Sequence, residues 1–501
     1  MKNIALTIIL LGFGLVYTGC TDLEEDPKGL FAPEAFFQTP ADVEAAVMGA
    51  YAEWNTREME KSYMLALMLR GDMVDIGDKN TSGERTSLNS FSMDANNGLT
   101  NAGWERLYQC IAAANTAIKA SREISADQAI KKELEAKARF IRAYTYYHLV
   151  RSFGPVPHMD APIESAEAFD AIEKSPVEEI YPHIIEDLIF AKNNLPPQNQ
   201  ADVRNIGTQG SAATVLAEVY LTLGQFENAA TEARFVINNA SSFNYRLEAD
   251  YQDLFNANLA PTLEEPIFTI DKKNDISSGI YNSPDGMINL TRIRDSAPRS
   301  LSVAVPTLTV YETWDERDYR RKVSFEDSIM IDGVKTALVD TDFRVPRPHI
   351  AKFFRYPGPQ GGGDDRASDH HYCLYRFADV LLIAAEAIGE SEGATAEALG
   401  YINQIRARAR FNGTMVTGFP ADITMGISNE DFIAAVREER RLEFAFEFKR
   451  WFDIKRWGIL EEVFTGPGSL EPQSVNPSRD YLFPIPQIEI DVSNFSQNPG
   501  Y

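Results

Sequence analysis

Three times along this chain an alanine-rich helical pattern is cut by glycine, and that recurrence constrains the fold more than any other feature. Residues 136–153 set Ala138, Ile141, Ala143, Tyr144, Tyr147 and Val150 along one broad face, and the following Gly154-Pro155-Val156-Pro157 stops the helix. A second unit starts near Gln209 with Ala213, Leu216, Ala217, Tyr220 and Leu221. It breaks at Gly224 and resumes through Ala229, Ala230, Ala233 and Ile237. A third starts at Ala378 with Leu381, Leu382 and Ala385, breaks over residues 389–393, and resumes through Ala394, Ala398, Ile402 and Ile405. Small side chains let paired helices approach closely, which is the physical pattern of a tetratricopeptide-like hairpin. Ala217 and Ala385 are 168 positions apart, so the units form no continuous tandem array. The expectation is a mainly α fold whose helical hairpins are separated by long irregular insertions.

Two insertions stand out. Residues 71–103 are rich in Asp, Asn, Ser and Gly. Residues 256–306 are rich in Pro, Asn, Ser and Asp, with a strand-like run at 266–270. Long loops on a rigid scaffold are where binding residues concentrate.

The amino terminus reads as an address. Lys2 precedes a 13-residue apolar run over residues 4–16, too short to span a bilayer, and Thr18-Gly19 leads into Cys20. This is the arrangement of a bacterial lipoprotein signal, with a signal peptide at 1–19 and lipid attached to Cys20. Tyr17 departs from the Leu usual at its position. Asp22, Glu24, Glu25 and Asp26 follow at once, an acidic segment with no apolar face to bury and the character of a solvated tether. No later stretch is apolar enough for a transmembrane helix. With 48 basic against 73 acidic residues the chain carries −25, and loss of the leader with its single Lys2 makes that −26. Such a body is repelled by nucleic acid and by anionic headgroups.

Catalytic and metal motifs are sparse. The chain holds no phosphate-cradling glycine loop, His-Glu-x-x-His run or serine nucleophile elbow. The glycine run at 358–363 reads as a loop. Residues 363–371 gather Asp364, Asp365, Asp369, His370 and His371, but a solvated loop explains them as well as a cation site does. Nothing calls for a cofactor, a metal or an enzyme. Apart from Cys20 the cysteines are Cys110 and Cys373, which form no disulfide framework. Trp104 opens a helix with Leu107 and Ile111 and reads as core.

The densest signal is EERRLEFAFEFKRWFDIKRW over residues 438–457. Read as one helix it is apolar nearly all round, hence buried, and Glu438–Arg441, Glu447–Arg450 and Asp453–Arg456 fall three residues apart, placed to pair. Buried charges need partners, so these groups read as a structural network rather than a catalytic one.

The same run resembles the signature of the SusD/RagB family of Bacteroidetes outer-membrane lipoproteins, Glu-Arg-Arg-x-Glu-Leu-x-Phe-Glu followed by Arg-Trp-x-Asp-Leu-x-Arg-Trp. Residues 375–386, the turn at 153–157, and the terminal LFPIPQIEI and QNPGY runs are similar to further family segments. The resemblance implies a SusD-like fold over residues 20–501, with an N-terminal helical part to about residue 240 and a RagB/SusD part over 241–501. It implies a protein without catalytic activity, anchored in the outer membrane on its extracellular side. Its implied partner is a SusC-like TonB-dependent transporter, to which it delivers captured oligosaccharide. A peptide or glycopeptide ligand, a purely protein-binding scaffold, and a hydrolase are the alternatives.

The ligand contacts of that family do not transfer by motif. Sugars stack on aromatic faces, exchange hydrogen bonds with amides and donate them to carboxylates. The two insertions supply the candidates: Asp72, Asp75, Phe91, Asn96 and Asn97 in the first, and Tyr281, Asn282 and Arg292 in the second.

Overall fold

A computed structural model describes residues 36–199, 203–272, 285–358 and 368–501. Residues 39–501 form one compact unit. Cys20, the leader and the acidic segment lie outside the described residues.

Among the described residues, ten helices of eight or more residues organise that unit: α1 (Pro40–Trp54), α2 (Gly98–Glu123), α3 (Gln128–Phe153), α4 (Val177–Asn194), α5 (Gln209–Thr222), α6 (Phe226–Asn238), α7 (Phe377–Glu392), α8 (Ala396–Ala409), α9 (Asn429–Glu443) and α10 (Arg450–Trp457). Their starts are written locally. Thr39 and Asp42 make a capping box at α1, Asn97 caps α2 through the amides of Leu99 and Thr100, and Thr208, Thr395 and Ser428 cap α5, α8 and α9.

The hairpins expected from the alanine pattern form as α5–α6 and α7–α8. One detail differs. Helix α7 runs straight through Gly389 and ends only at Gly393, whose φ of +90° suits glycine alone. Gly389 has a packing reason instead: a Cβ there would come within 2.7 Å of Ile433 and 2.8 Å of Phe432.

The helices pack largely in chain order, α1 on α2 and α3, α2 on α3, α3 on α4, α4 on α5, α5 on α6, then α6 across a long gap onto α7, which carries α8 and α9. The gap in sequence is thus closed in space by an α6–α7 contact. Ala143, Ala213, Ala217, Ala230 and Ala385 are fully buried in one core with Tyr144, Tyr147 and Leu381. No helix among the described residues is long and apolar enough to cross a membrane.

Short strands tie the insertions to this scaffold. Strand β1 (Val74–Ile76) of the first insertion pairs antiparallel with β3 (Ala304–Pro306) of the second, with Asp75 opposite Val305. Strand β2 (Pro266–Ile270), the strand-like run of the sequence, pairs with β4 (Tyr372–Arg376) just before α7.

The 438–457 segment is not one helix. Helix α9 ends at Glu443, residues 444–449 turn, and α10 begins at Arg450. Phe446 and Phe448 take left-handed φ values of 67° and 64°, strained for a bulky residue. Packing holds them there: Phe446 meets Phe325, and Phe448 sits against Phe353 and Tyr372.

The turn redirects the charges. Glu438–Arg441 and Asp453–Arg456 pair as expected, at 2.6 and 2.9 Å. Glu447 instead reaches Arg376 and Lys352, and Arg450 takes Asp72. Around them lies a dry network in which Arg376 contacts Glu265, Glu443 and Glu447, Arg408 contacts Glu265 and Glu443, and Arg320 contacts Glu439 and Glu443. Burial alone would raise the Glu443 carboxyl, but Arg408, Arg376 and Arg320 outweigh it and hold it far below the carboxylate range. The network locks the end of α9 to α8 and β4. It is structural.

Candidate functional site

Pairing of β1 with β3 brings both insertions to one surface, and that surface carries a polar cluster. Asp75 projects between buried Val74 and Ile76. Its Oδ1 accepts from its neighbour's amide, Ile76 N, at 2.6 Å and from Lys79 Nζ at 3.0 Å, while Oδ2 accepts from Arg347 Nη1 at 3.0 Å. Arg347 also donates through Nη2 to the Pro306 carbonyl at 2.6 Å, so the guanidinium clips the β1–β3 pair from its open side.

Asp78 anchors a second set. Its Oδ1 accepts from the Asn80 amide at 3.0 Å, and its Oδ2 meets Arg294 at 3.0 Å and Arg344 at 3.2 Å. Burial would raise this carboxyl, but the Asn80 amide and the two arginines win and keep it below its ordinary value. Glu471 stands nearby with the opposite balance: burial first, then the charge of Asp75, push its carboxyl up to about 7. Its Oε1 accepts from Gln473 at 3.2 Å.

The cluster combines guanidinium and ammonium donors with carboxylate acceptors on one partly exposed face. Lys79 and Arg344 leave 69% and 48% of their side chains in solvent. Such a set can hydrogen-bond the vicinal hydroxyls of a polyol or sugar.

The sequence-derived candidates divide across the structure. Asp75 is at the centre of the face, and Arg292 lies half-buried one residue from Ile293 and two from Arg294, its carbonyl accepting from Ser302. Asn96 is exposed in the turn before α2, its amide bonded to Asp94. Three others are corrected to structural roles. Asp72 is buried and gripped by both Nε and Nη2 of Arg450 at 2.7 and 2.6 Å. Phe91 is core, with the Arg70 guanidinium 3.9 Å above its ring and Phe464 edge-on at 4.7 Å. Asn97 is buried as the α2 cap. Tyr281 and Asn282 lie outside the described residues.

Sequence reading missed Asp78, Lys79, Arg294, Arg344, Arg347 and Glu471. The first two were signalled, since they lie in the same acidic insertion as Asp75. Arg344 is 266 positions from Asp78, and no local pattern marks it.

Among the described residues no three His, Cys, Asp or Glu side chains converge as a metal site. Asp364 and Asp365 lie outside them. His371 pairs with Asp271 at 3.1 Å, and burial pushes His370 down to about 3. Cys110 and Cys373 are both free thiols.

Comparison with known proteins gives a consistent set of likenesses. Residues 299–501 match the family described as SusD family, and residues 22–221 match the one described as starch-binding associating with outer membrane. The chain is 44% identical over 515 aligned residues, the full length of both, to SusD-like protein P2 of Formosa agariphila. Among solved structures it is similar to a SusD homolog from Bacteroides thetaiotaomicron, with a TM-score of 0.80 and 23% identity over 94% of this chain and 98% of that one. A laminarin binding SusD-like protein gives a TM-score of 0.78 and 21% identity over 93% of this chain and 100% of the other.

Proposed function

The chain belongs to the SusD family, and on that premise we propose that it is a surface glycan-binding protein, held at the outer membrane through lipid on Cys20. It captures oligosaccharide and passes it to a SusC-like TonB-dependent transporter without chemical change. The observation that carries the binding reading is the joining of the two insertions by β1 and β3 into the face built on Asp75 and Asp78. There the exposed Lys79 ammonium and Arg344 guanidinium stand beside the Asp75 and Asp78 carboxylates, donors and acceptors that neutral hydroxyls can bond. The laminarin-binding neighbour, on the same fold, supports a glycan as the ligand class. The outer-membrane wording of the amino-terminal family match supports the location.

The test is calorimetric titration of the full chain carrying Cys20→Ala against laminarin oligosaccharides, starch oligosaccharides and neutral peptides. Saturable binding of one glycan class, weakened about tenfold by Arg344→Ala and by Lys79→Ala, is the expected result. Binding of peptide with no glycan response would replace the ligand class, and turnover of any panel member would overturn the non-enzymatic reading.

A further inference from the structure

A cleft of about 660 Å³ opens on another part of the molecule. One wall is α2, where Trp104, Tyr108 and Ala112 recur every four residues and so share a face. The opposite walls come from the stretch after α3, with Met159, Ile163 and Phe169, and from the carboxy-terminal run, with Val492 and Phe495. The floor is rigid. Trp104 stacks obliquely on Tyr108 at 4.8 Å and meets Phe153 edge-on at 5.1 Å, and the Tyr108 hydroxyl donates to the Pro157 carbonyl at 2.9 Å.

Two independent observations describe what fits. The rim is apolar and open: Ile163, Phe169 and Val492 are exposed by 45%, 56% and 65%. Exposed apolar side chains grouped around a concavity mark a protein-contact surface, since scattered ones would not share a rim. The charged groups lining the cleft are Glu105, Asp170, Glu489 and Asp491, all acidic, and none of the described lining residues is Lys or Arg. Cations nearby are committed elsewhere: Arg106 faces Glu53 at 3.1 Å, Lys119 faces Glu164 at 2.5 Å, and Lys174 donates to the Ser496 carbonyl at 2.5 Å. The tether at residues 21–26 carries four carboxylates and has the wrong sign to fill this site.

We propose that this cleft docks a peptide segment of a partner protein, one that sets Lys or Arg side chains between apolar ones. The apolar residues lie on Ile163, Phe169 and Val492, and the cations enter between Glu105 and Asp491 over the Tyr108 ring. The exposed aliphatic side chains of Ile163 and Val492 offer a sugar neither a stacking face nor a hydrogen bond, which favours a peptide over a glycan here. The inference goes beyond glycan capture and uses none of the residues of the Asp75 face.

The test uses the full chain carrying Cys20→Ala, a short fluorescein-labelled peptide with Lys and Arg alternating with Leu, Ile and Phe, and the same peptide with every cation replaced by Glu. Anisotropy should show saturable binding of the basic peptide. The acidic one should bind at least about tenfold more weakly, with affinity falling as salt rises from about 0.05 to about 0.5 M. The double variant Glu105→Gln, Asp491→Asn changes two exposed side chains without changing their shape, and should weaken the basic peptide about tenfold while leaving glycan titrations unaltered. Equal binding of both peptides, or no effect of the double variant, would overturn the proposal. Displacement of the peptide by laminarin oligosaccharide would reassign the cleft as a sugar site. Loss of glycan binding with peptide binding intact would instead strike the glycan reading alone.

Discussion

Arg376 Nη1 and Glu443 Oε1 lie 2.5 Å apart at a point where both side chains are wholly excluded from solvent, although 67 residues separate them in the chain. Arg320 and Arg408 converge on the same carboxylate, so one acidic group serves three cations. Removing one partner of a buried pair strands the others, at a cost of about 3–5 kcal/mol. Glu443→Gln should therefore lower stability by about that amount in urea unfolding, while Glu438→Gln, 52% exposed beside Arg441, should change it by less than about 1 kcal/mol. The folded Glu443 carboxyl sits far below its ordinary 4.5, so its contribution is present above that pH and is lost as pH falls toward the folded value. Wild type should lose stability steeply in acid, and Glu443→Gln much less so.

Glu471 titrates in the other direction. Its folded value of about 7 exceeds the ordinary 4.5, so folding takes up a proton between these values. The stability it contributes is complete below about pH 4.5 and is lost as pH rises through about 7. Glu471→Gln should flatten that part of the profile of melting temperature against pH. An unchanged slope would mean that other groups set it.

The two thiols should be silent in the native state. Burial pushes both Cys110 and Cys373 up to about 12, and the Cys110 thiol is further tied to the Thr145 hydroxyl at 3.2 Å. A chromogenic disulfide reagent at pH 8 should label neither in the folded Cys20→Ala chain and both in guanidinium. Native labelling of the wholly buried Cys110 would show that α2 opens on the reagent's timescale.

The helices were legible because their instructions are local. The small-residue period and a stop such as Gly154 or Gly393 sit within a few residues of what they control. The site was legible only in part. Asp75 was found because it lies in a polar insertion, but Arg347 becomes its partner only once β1 pairs with β3, and one sequence does not record that pairing. Glu447 shows the same limit inside the strongest motif. Three-residue spacing assigns it to Arg450 only while the helix continues, and the turn at residues 444–449 sends the two side chains to Arg376 and Asp72. Polar composition likewise drew Asp72 and Asn97 into the candidate site, whereas burial shows one satisfying a guanidinium and the other a helix end.

Phe91 separates the two readings of the first insertion most sharply. An aromatic ring in a polar loop suggests a sugar platform, yet this ring is 2% exposed, lies under the fully buried Arg70 guanidinium and touches Phe464 and Trp451. Phe91→Ala would leave a cavity and remove one face from a guanidinium already short of water. Truncating a core phenylalanine costs about 3–5 kcal/mol. The variant should unfold at distinctly lower urea and shift the emission of neighbouring Trp451, while its folded fraction binds glycan with wild-type affinity. Arg344→Ala should do the reverse, holding its melting temperature and losing about tenfold in glycan affinity, because its side chain is half in solvent and its hydrogen bonds are offered at the surface. Loss of affinity in Phe91→Ala at full stability would return that ring to the site.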